Sequence, residues 1–211
     1  MPKLNLQVEA LPVSICQRMG YDWIVSDVTP DGFKGKRVLD FGANGYPFIA
    51  LLAKWGAEVW WHDRDLRCAA TMEKLAKQWG VRIREQKALV TRPEFDIVIA
   101  SNAIQHNHDG AVKLYQRLRD NMKPDGVMYV VEALEHGQSR WDTSRKDPCW
   151  RRTLADHAEL WKGAGLRLIR TGLFSYASKS GDAPETSSWV SPINGKIEAA
   201  NRVCARLERA C

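Results

Sequence analysis

Between residues 37 and 170 the sequence alternates short β-like runs, most with an apolar centre, with longer stretches that are apolar along one helical face. That alternation constrains the fold more than any other feature. A strand flanked by polar loops and apolar on both sides must be covered on both faces, which is the condition of a parallel sheet between two helical layers. The runs are Arg37-Val38-Leu39-Asp40-Phe41, Glu58-Val59-Trp60-Trp61-His62, Val81 to Glu85, Asp96-Ile97-Val98-Ile99-Ala100, Val127 to Val131 and Leu166 to Ile169. Between them, Phe48, Leu51, Leu52 and Trp55 recur at helical steps, as do Leu66, Ala69, Met72, Ala76 and Trp79, then Ala111, Leu114, Tyr115, Leu118 and Met122. Gly56 and Gly80 stop the first two helices, and Pro47 suits the start of the first.

Outside this core the signals change. The first 35 residues end in the turn Thr29-Pro30-Asp31-Gly32 and read as one or two helices that cap the core. A helix is predicted from Trp150 to Lys162. The polar stretch Ser178 to Ser188 reads as a mobile loop, with Trp189-Val190 in a last strand. Ile197, Ala200, Val203, Cys204 and Leu207 suggest a closing helix. The expected organisation is one domain: a helical cap over 1–35, a doubly wound, Rossmann-like α/β core over 36–194, and a helix over 195–211.

Composition narrows the setting. Five scattered cysteines form no CxxC pair and no metal-ligand spacing, which suggests reduced thiols and no metal. No apolar run approaches the ~20 residues that span a bilayer, and no apolar signal core opens the chain, so the cytoplasm is the expected location. The net charge of +6 is compatible with an anionic partner, but the cations are spread out, with a mild cluster at Arg140, Arg145, Lys146, Arg151 and Arg152. Nine tryptophans are read chiefly as core and groove-wall residues.

Doubly wound sheets bind ligands beyond the carboxyl ends of their strands, at the switch point of the strand order. Asp40 to Gly45, Asp63, and Ser101 to His108 all fall at such ends. Glycine after the first strand lets backbone approach a ligand, and the helix opening at Pro47 turns its free amides toward the same place. Asp63 is positioned for the vicinal hydroxyls of a ribose. Asp40 would repel a pyrophosphate but attract an ammonium or a sulfonium. These residues therefore favour S-adenosylmethionine over NAD. Taken singly, Asp40 could cap a turn and Asp63 a helix; the joint spacing is what argues for a ligand.

The stretch Val38-Leu39-Asp40-Phe41-Gly42-Ala43-Asn44-Gly45 resembles the first motif of the class I S-adenosylmethionine-dependent methyltransferases, with the second acid, Asp63, 23 positions after Asp40. Phe95 to His106 resembles that family's fourth-strand motif. Asn121-Met122-Lys123-Pro124-Asp125-Gly126-Val127 resembles its turn before the fifth strand, and His157 to Ile169 its late helix and sixth strand. The resemblance covers about residues 35 to 170. It implies a mostly parallel seven-stranded sheet and a methyltransferase. It also implies that Asp40, Phe41, Gly42, Ala43, Asn44 and Gly45 surround the methionine part of the cofactor. Asp63 and Arg64 would meet the ribose and adenine, Ala88 the adenine through its backbone, and Ser101 and Asn102 the sulfonium side. The chain departs from the pattern at Asn44 and Tyr46, where glycines are usual, and at Lys87, where an acid is.

Methyl transfer needs alignment above all, and a general base only if the acceptor loses a proton early. His106, just past the fourth strand, is the candidate base, with His108 and Glu132 behind it. No Pro-Pro-aromatic tetrapeptide of the DNA amino-methylating enzymes follows the fourth strand; Ser101-Asn102-Ala103-Ile104 stands there. A small-molecule acceptor is the first expectation, walled by the first 35 residues and the segment from Trp141 to Trp150. An RNA acceptor, favoured by Trp141, Trp150, Arg151 and Arg152, and a non-catalytic cofactor-binding subunit are the alternatives. The chain is expected to act as a monomer or homodimer.

Overall fold

The computed structural model describes residues 6–65, 67–89, 92–107, 109–143, 148–177, 186–190 and 200–210. The strand β1 (Arg37–Phe41) lies inside the sheet because its side chains serve two cores. Val38 is fully buried in one and Leu39 fully buried in the other. Its parallel neighbours are β2 (Glu58–His62) and β4 (Phe95–Ser101), with Asp40 in register with Trp61 and Ile99. Beyond β2 lies the short strand β3 (Ile83–Glu85), and beyond β4 lies β5 (Met122–Ala133), both parallel.

The sheet continues with β10 (Arg202–Arg209), β8 (Leu166–Ala177) and β9 (Thr186–Val190), all joined antiparallel. The order is β3-β2-β1-β4-β5-β10-β8-β9, eight strands where seven were expected. Strand order reverses between β1 and β4, so the switch point falls where it was sought.

Helices cover both faces. On one side pack α2 (Ile15–Asp27), α3 (Phe48–Lys54) and α4 (Cys68–Trp79), contributing Ile24, Phe48, Ile49, Leu52 and Met72 to the core. On the other pack α5 (Ala111–Asn121) and α6 (Leu154–Gly163), with Tyr115, Leu118 and Trp161 fully buried. The expected N-terminal helices are α2 and the single turn α1 (Leu6–Glu9). No described helix is long and apolar enough to cross a membrane.

The C-terminal half of α2 is bound to the sheet. Trp23 lies flat enough on β8 that a Cβ at Gly172 would sit 2.5 Å from its indole nitrogen. At the last turn, Asp27 accepts hydrogen bonds from the Tyr129 hydroxyl at 2.5 Å, Arg170 at 3.1 Å and Arg206 at 3.0 Å. Burial pushes the Asp27 carboxyl up, but these three donors outweigh it and hold its pKa below the ordinary carboxylate value.

Four expectations need correction. The closing segment is not a helix: residues 202–209 form β10, inserted between β5 and β8. Val203, Ala205 and Leu207 alternate toward one core while Cys204 faces the other. The helix expected from Trp150 begins at Leu154 behind the N-cap Thr153, and Cys149–Arg151 is instead strand β7, paired with β6 (Arg140–Asp142) in a two-stranded sheet. Residues 186–188 of the expected loop belong to β9; residues 178–185 lie outside the described residues. Lys123 to Gly126 does turn, but as an outward loop inside β5, since Phe95 pairs with Met122 and Ile97 already with Val127.

Candidate active site

Three strand tips meet at the switch point. After β1 the chain passes through Gly42, Asn44 and Gly45, at φ 72°, 44° and 72°. Three left-handed residues within four positions curl the backbone over the end of β1 and into α3. Asparagine tolerates that region better than most side chains, so Asn44 preserves the loop without the usual glycine. At Gly42 a Cβ would stand 2.4 Å from the Cβ of Ala103, so the β1 and β4 loops touch there through bare backbone. Gly42 also donates its amide to the His62 carbonyl at 2.8 Å, tying the loop to β2.

Asp63 follows β2 directly. One carboxylate oxygen accepts the Asn44 amide at 2.9 Å and the other the Asp65 amide at 2.8 Å. Arg64 beside it is exposed. Phe41 stacks on His62, with centroids 5.4 Å apart, and His62 Nδ1 donates to the Gln86 carbonyl at 2.7 Å. That contact carries the site to the end of β3, where Ala88 is exposed and its carbonyl accepts from the Gln86 side chain at 2.9 Å. Lys87 points to solvent.

Asp40 is the electrostatic centre. It is 6% exposed, and no described side chain pairs with its carboxyl. Burial first, and the nearby Asp63 charge second, raise its pKa to about 7. The Cys68 thiol, buried and close to Asp63, is likewise pushed up to about 11. A carboxyl and a thiol held at high pKa beside a second acid describe a site short of positive charge. Sequence reasoning did not single out Tyr21 of α2, which stacks on Phe48 at 4.1 Å and whose hydroxyl is held protonated by burial and the Asp40 charge. The N-terminal helix α2 therefore reaches the neighbourhood of Asp40.

At the β4 tip, Ser101 is buried and Asn102 takes φ 53°, donating its amide to Val131 at 2.7 Å. A 3₁₀ turn, Ile104–His106, follows. Glu132, fully buried on β5, accepts the amides of Ile104 at 3.0 Å and Gln105 at 2.8 Å. Burial raises its pKa to about 7, against these amides and the Arg152 charge, which lower it. Its oxygens are occupied by backbone, so Glu132 holds the turn. His106 Nδ1 donates to the Pro148 carbonyl at 2.8 Å, which leaves Nε2 as the acceptor, 3.3 Å from the Gln105 amide nitrogen. His108 lies outside the described residues.

The segment expected to wall an acceptor pocket is the β6–β7 hairpin, where Trp141 and Trp150 face each other with ring centroids 6.0 Å apart. Among the described residues its basic cluster is paired or buried. Arg140 and Arg151 both pair with Glu135, at 2.8 and 3.1 Å, and Arg152 is buried. Arg145 and Lys146 lie outside the described residues.

A family model described as a methyltransferase domain matches residues 19–178. No curated protein matches the sequence. Among solved structures, the chain is similar to a Burkholderia thailandensis 1,6-didemethyltoxoflavin-N1-methyltransferase bound to 1,6-didemethyltoxoflavin and S-adenosylhomocysteine. That match has a TM-score of 0.69 and 16% identity, covering 94% of this chain and 80% of that one. An S-adenosylmethionine-dependent methyltransferase from Clostridium acetobutylicum gives a TM-score of 0.64 and 10% identity, over 90% and 91% of the two chains. The [4+2]-cyclase SpnF gives 0.68 and 14%, over 94% and 83%. With a family model spanning the β1 loop, both acids and the β4 turn, this chain belongs to the methyltransferase-domain family, on the class I S-adenosylmethionine-dependent fold.

Proposed function

We propose that the protein transfers the methyl group of S-adenosylmethionine to a small molecule. The observation that carries this reading is Asp40: a carboxyl 6% exposed, unpaired among the described residues, and raised to about 7 by burial and the nearby Asp63 charge. A ligand with an ammonium and a sulfonium supplies that cation. The left-handed loop from Gly42 to Gly45 leaves backbone, not side chains, beside it, so the residues present fit the cofactor.

S-adenosylmethionine supplies an already activated methyl group; the chain has to bind, orient and exclude water. In this reading Asp40 and the loop Phe41, Gly42, Ala43, Asn44 and Gly45 hold the methionine part. Asp63, its carboxylate steered by the Asn44 and Asp65 amides, keeps lone pairs for the ribose hydroxyls. Arg64 and Ala88 flank the adenine, and Ser101 and Asn102 border the reacting end. His106 is the proposed base: the Pro148 carbonyl fixes its Nδ1 proton, so Nε2 carries the lone pair that accepts one. Glu132 positions His106 by holding the turn that bears it.

A small acceptor is favoured over RNA because Arg140 and Arg151 are paired with Glu135 and Arg152 is buried, so the three do not form an open basic surface. The toxoflavin-precursor enzyme among the similar structures is a small-molecule methyltransferase by its name. The SpnF cyclase shows that the fold hosts other chemistry, so binding and transfer need separate tests.

Calorimetry with S-adenosylhomocysteine tests the cofactor: the wild type binds and Asp63→Ala binds at least about tenfold more weakly. Absence of binding by the wild type overturns the proposal. Incubation of a cell extract with methyl-labelled S-adenosylmethionine tests the acceptor: label enters the low-molecular-weight fraction, whereas label in RNA overturns the small-molecule reading.

A further inference from the structure

A groove of ≈ 620 Å³ lies between the β6–β7 hairpin and the first turns of α5 and α6, with Trp150, Arg152, Ala111, Val112, Gln138 and Leu160 among its lining. That volume is in the range that holds a small organic molecule. The groove adjoins the proposed catalytic turn. Asn107, the residue after His106, accepts a hydrogen bond from Arg152 Nη2 at 3.2 Å, and Pro148, which orients His106, opens strand β7.

Arg152 is the feature the methyl-transfer chemistry leaves unexplained. It is 6% exposed, and among the described residues the Asn107 carbonyl is the single hydrogen-bond partner of its guanidinium. No described carboxylate makes an ion pair with it; the charges of buried Glu132 and of Asp156 act on it from beyond contact. Its backbone is fixed, since Glu135 donates to its carbonyl at 2.9 Å and it bridges to Leu134. Its guanidinium lies 5.6 Å from the centroid of the Trp150 ring. A guanidinium so buried and so little bonded is held ready for an anion, and its planar fork matches a carboxylate.

The remaining charges of the groove are Asp109, Asp156 and Glu159. Asp156 is engaged, accepting from Thr153 and Ser139, but all three are negative. One cation among three acids opposes a dianion such as phosphate and favours a molecule that brings its own positive charge.

We propose that this groove holds the methyl acceptor as a zwitterion, with its carboxylate on Arg152 and its cationic or amino end toward the acidic rim. This rests on the small-molecule methyltransferase reading above.

The test is an NMR titration of arginine-labelled wild-type protein saturated with S-adenosylhomocysteine, following the Arg152 side-chain Nε–H signal, identified by its loss in Arg152→Lys. The probes are glycine, acetate and inorganic phosphate. Glycine is expected to shift the signal at lower concentration than acetate, and phosphate not to shift it. Glu159→Gln, on the exposed rim, weakens glycine but not acetate; read by calorimetry, which needs no signal assignment, it keeps the test decisive if Arg152→Lys fails to fold. Arg152→Lys, where folded, weakens glycine about tenfold or more, as expected for loss of a forked charged contact. No shift with glycine or acetate, in protein that binds S-adenosylhomocysteine, overturns the groove assignment and leaves the cofactor reading standing. Phosphate shifting the signal more strongly than glycine overturns the zwitterion. Failure of S-adenosylhomocysteine to bind at all overturns the parent reading instead.

Discussion

The parallel and antiparallel halves of the sheet treat buried carboxylates in opposite ways. In the antiparallel half, Asp27 meets one hydroxyl and two guanidiniums, and its pKa lies below the ordinary value. At the parallel tips, Asp40 and Glu132 are buried deeper, have no cation in contact, and are raised to about 7. The first arrangement locks α2 to β5, β8 and β10. In the second, Glu132 is occupied by backbone amides and holds a turn, while Asp40 leaves electrostatic work undone until a ligand arrives. The two halves should therefore respond oppositely to acid. Asp27 contributes stability that is present above its unfolded pKa near 3.8 and lost as pH falls through its lower folded value. Asp40 holds a proton in the folded state that the unfolded chain has already lost between 3.8 and about 7, so it makes stability decline as pH rises across that window.

The sharpest way to break this contrast is Asp40→Asn. It should weaken S-adenosylhomocysteine binding by about a hundredfold, roughly 3 kcal/mol, measured by calorimetry. At pH 8 the same variant should be more stable than wild type by about 1–2 kcal/mol in urea titration, because a strained charge is gone. Loss of both binding and stability would place Asp40 with Asp27 as a structural acid. Next is Asp27→Ala, expected to cost about 2–3 kcal/mol of stability by stranding the Tyr129 hydroxyl and leaving Arg206 with Glu208 alone, with cofactor affinity in the folded protein little changed. A third test is the pH dependence of cofactor binding. Affinity should climb as pH rises toward 7, by at most about tenfold per unit, and level off above it, as Asp40 sheds its proton. A flat profile from pH 5 to 8 would show that the Asp40 charge is not the contact. The smallest effect belongs to Arg140→Gln: its exposed ion pair with Glu135 should contribute no more than about 1 kcal/mol, and salt should reduce that further.

The contrast also explains what could be read from the sequence. The parallel half was legible because its strands are buried on both faces and so appear as runs with an apolar centre, and because the acids at their ends, Asp40 and Asp63, keep a set spacing. The antiparallel half was misread at β10. A spacing of four residues is two pleats of a strand as well as about one helical turn, so Val203 and Leu207 share a face in either structure. Ala205 and the paired arginines Arg202 and Arg206 carried the period of two. At α6, Thr153 followed three positions later by Asp156 was a helix-start signal that placed the boundary after Trp150. Tyr21 had no local signal: its place beside Asp40 depends on α2 crossing the sheet, which Asp27 and Trp23 secure through residues 100 and more positions away.

The insertion of β10 between β5 and β8 has a consequence for how the chain is made. Its neighbours are both translated before it, yet neither can pair with the other, so the growing sheet stays in two pieces with two raw edges. Closing them joins residues 202–209 to partners as early as Val127, a long-range step of the kind that slows folding. Until then Val130, Val131 and Leu173 line open flanks, and a ribosome-bound chain at that stage is the species most exposed to aggregation and to chaperones.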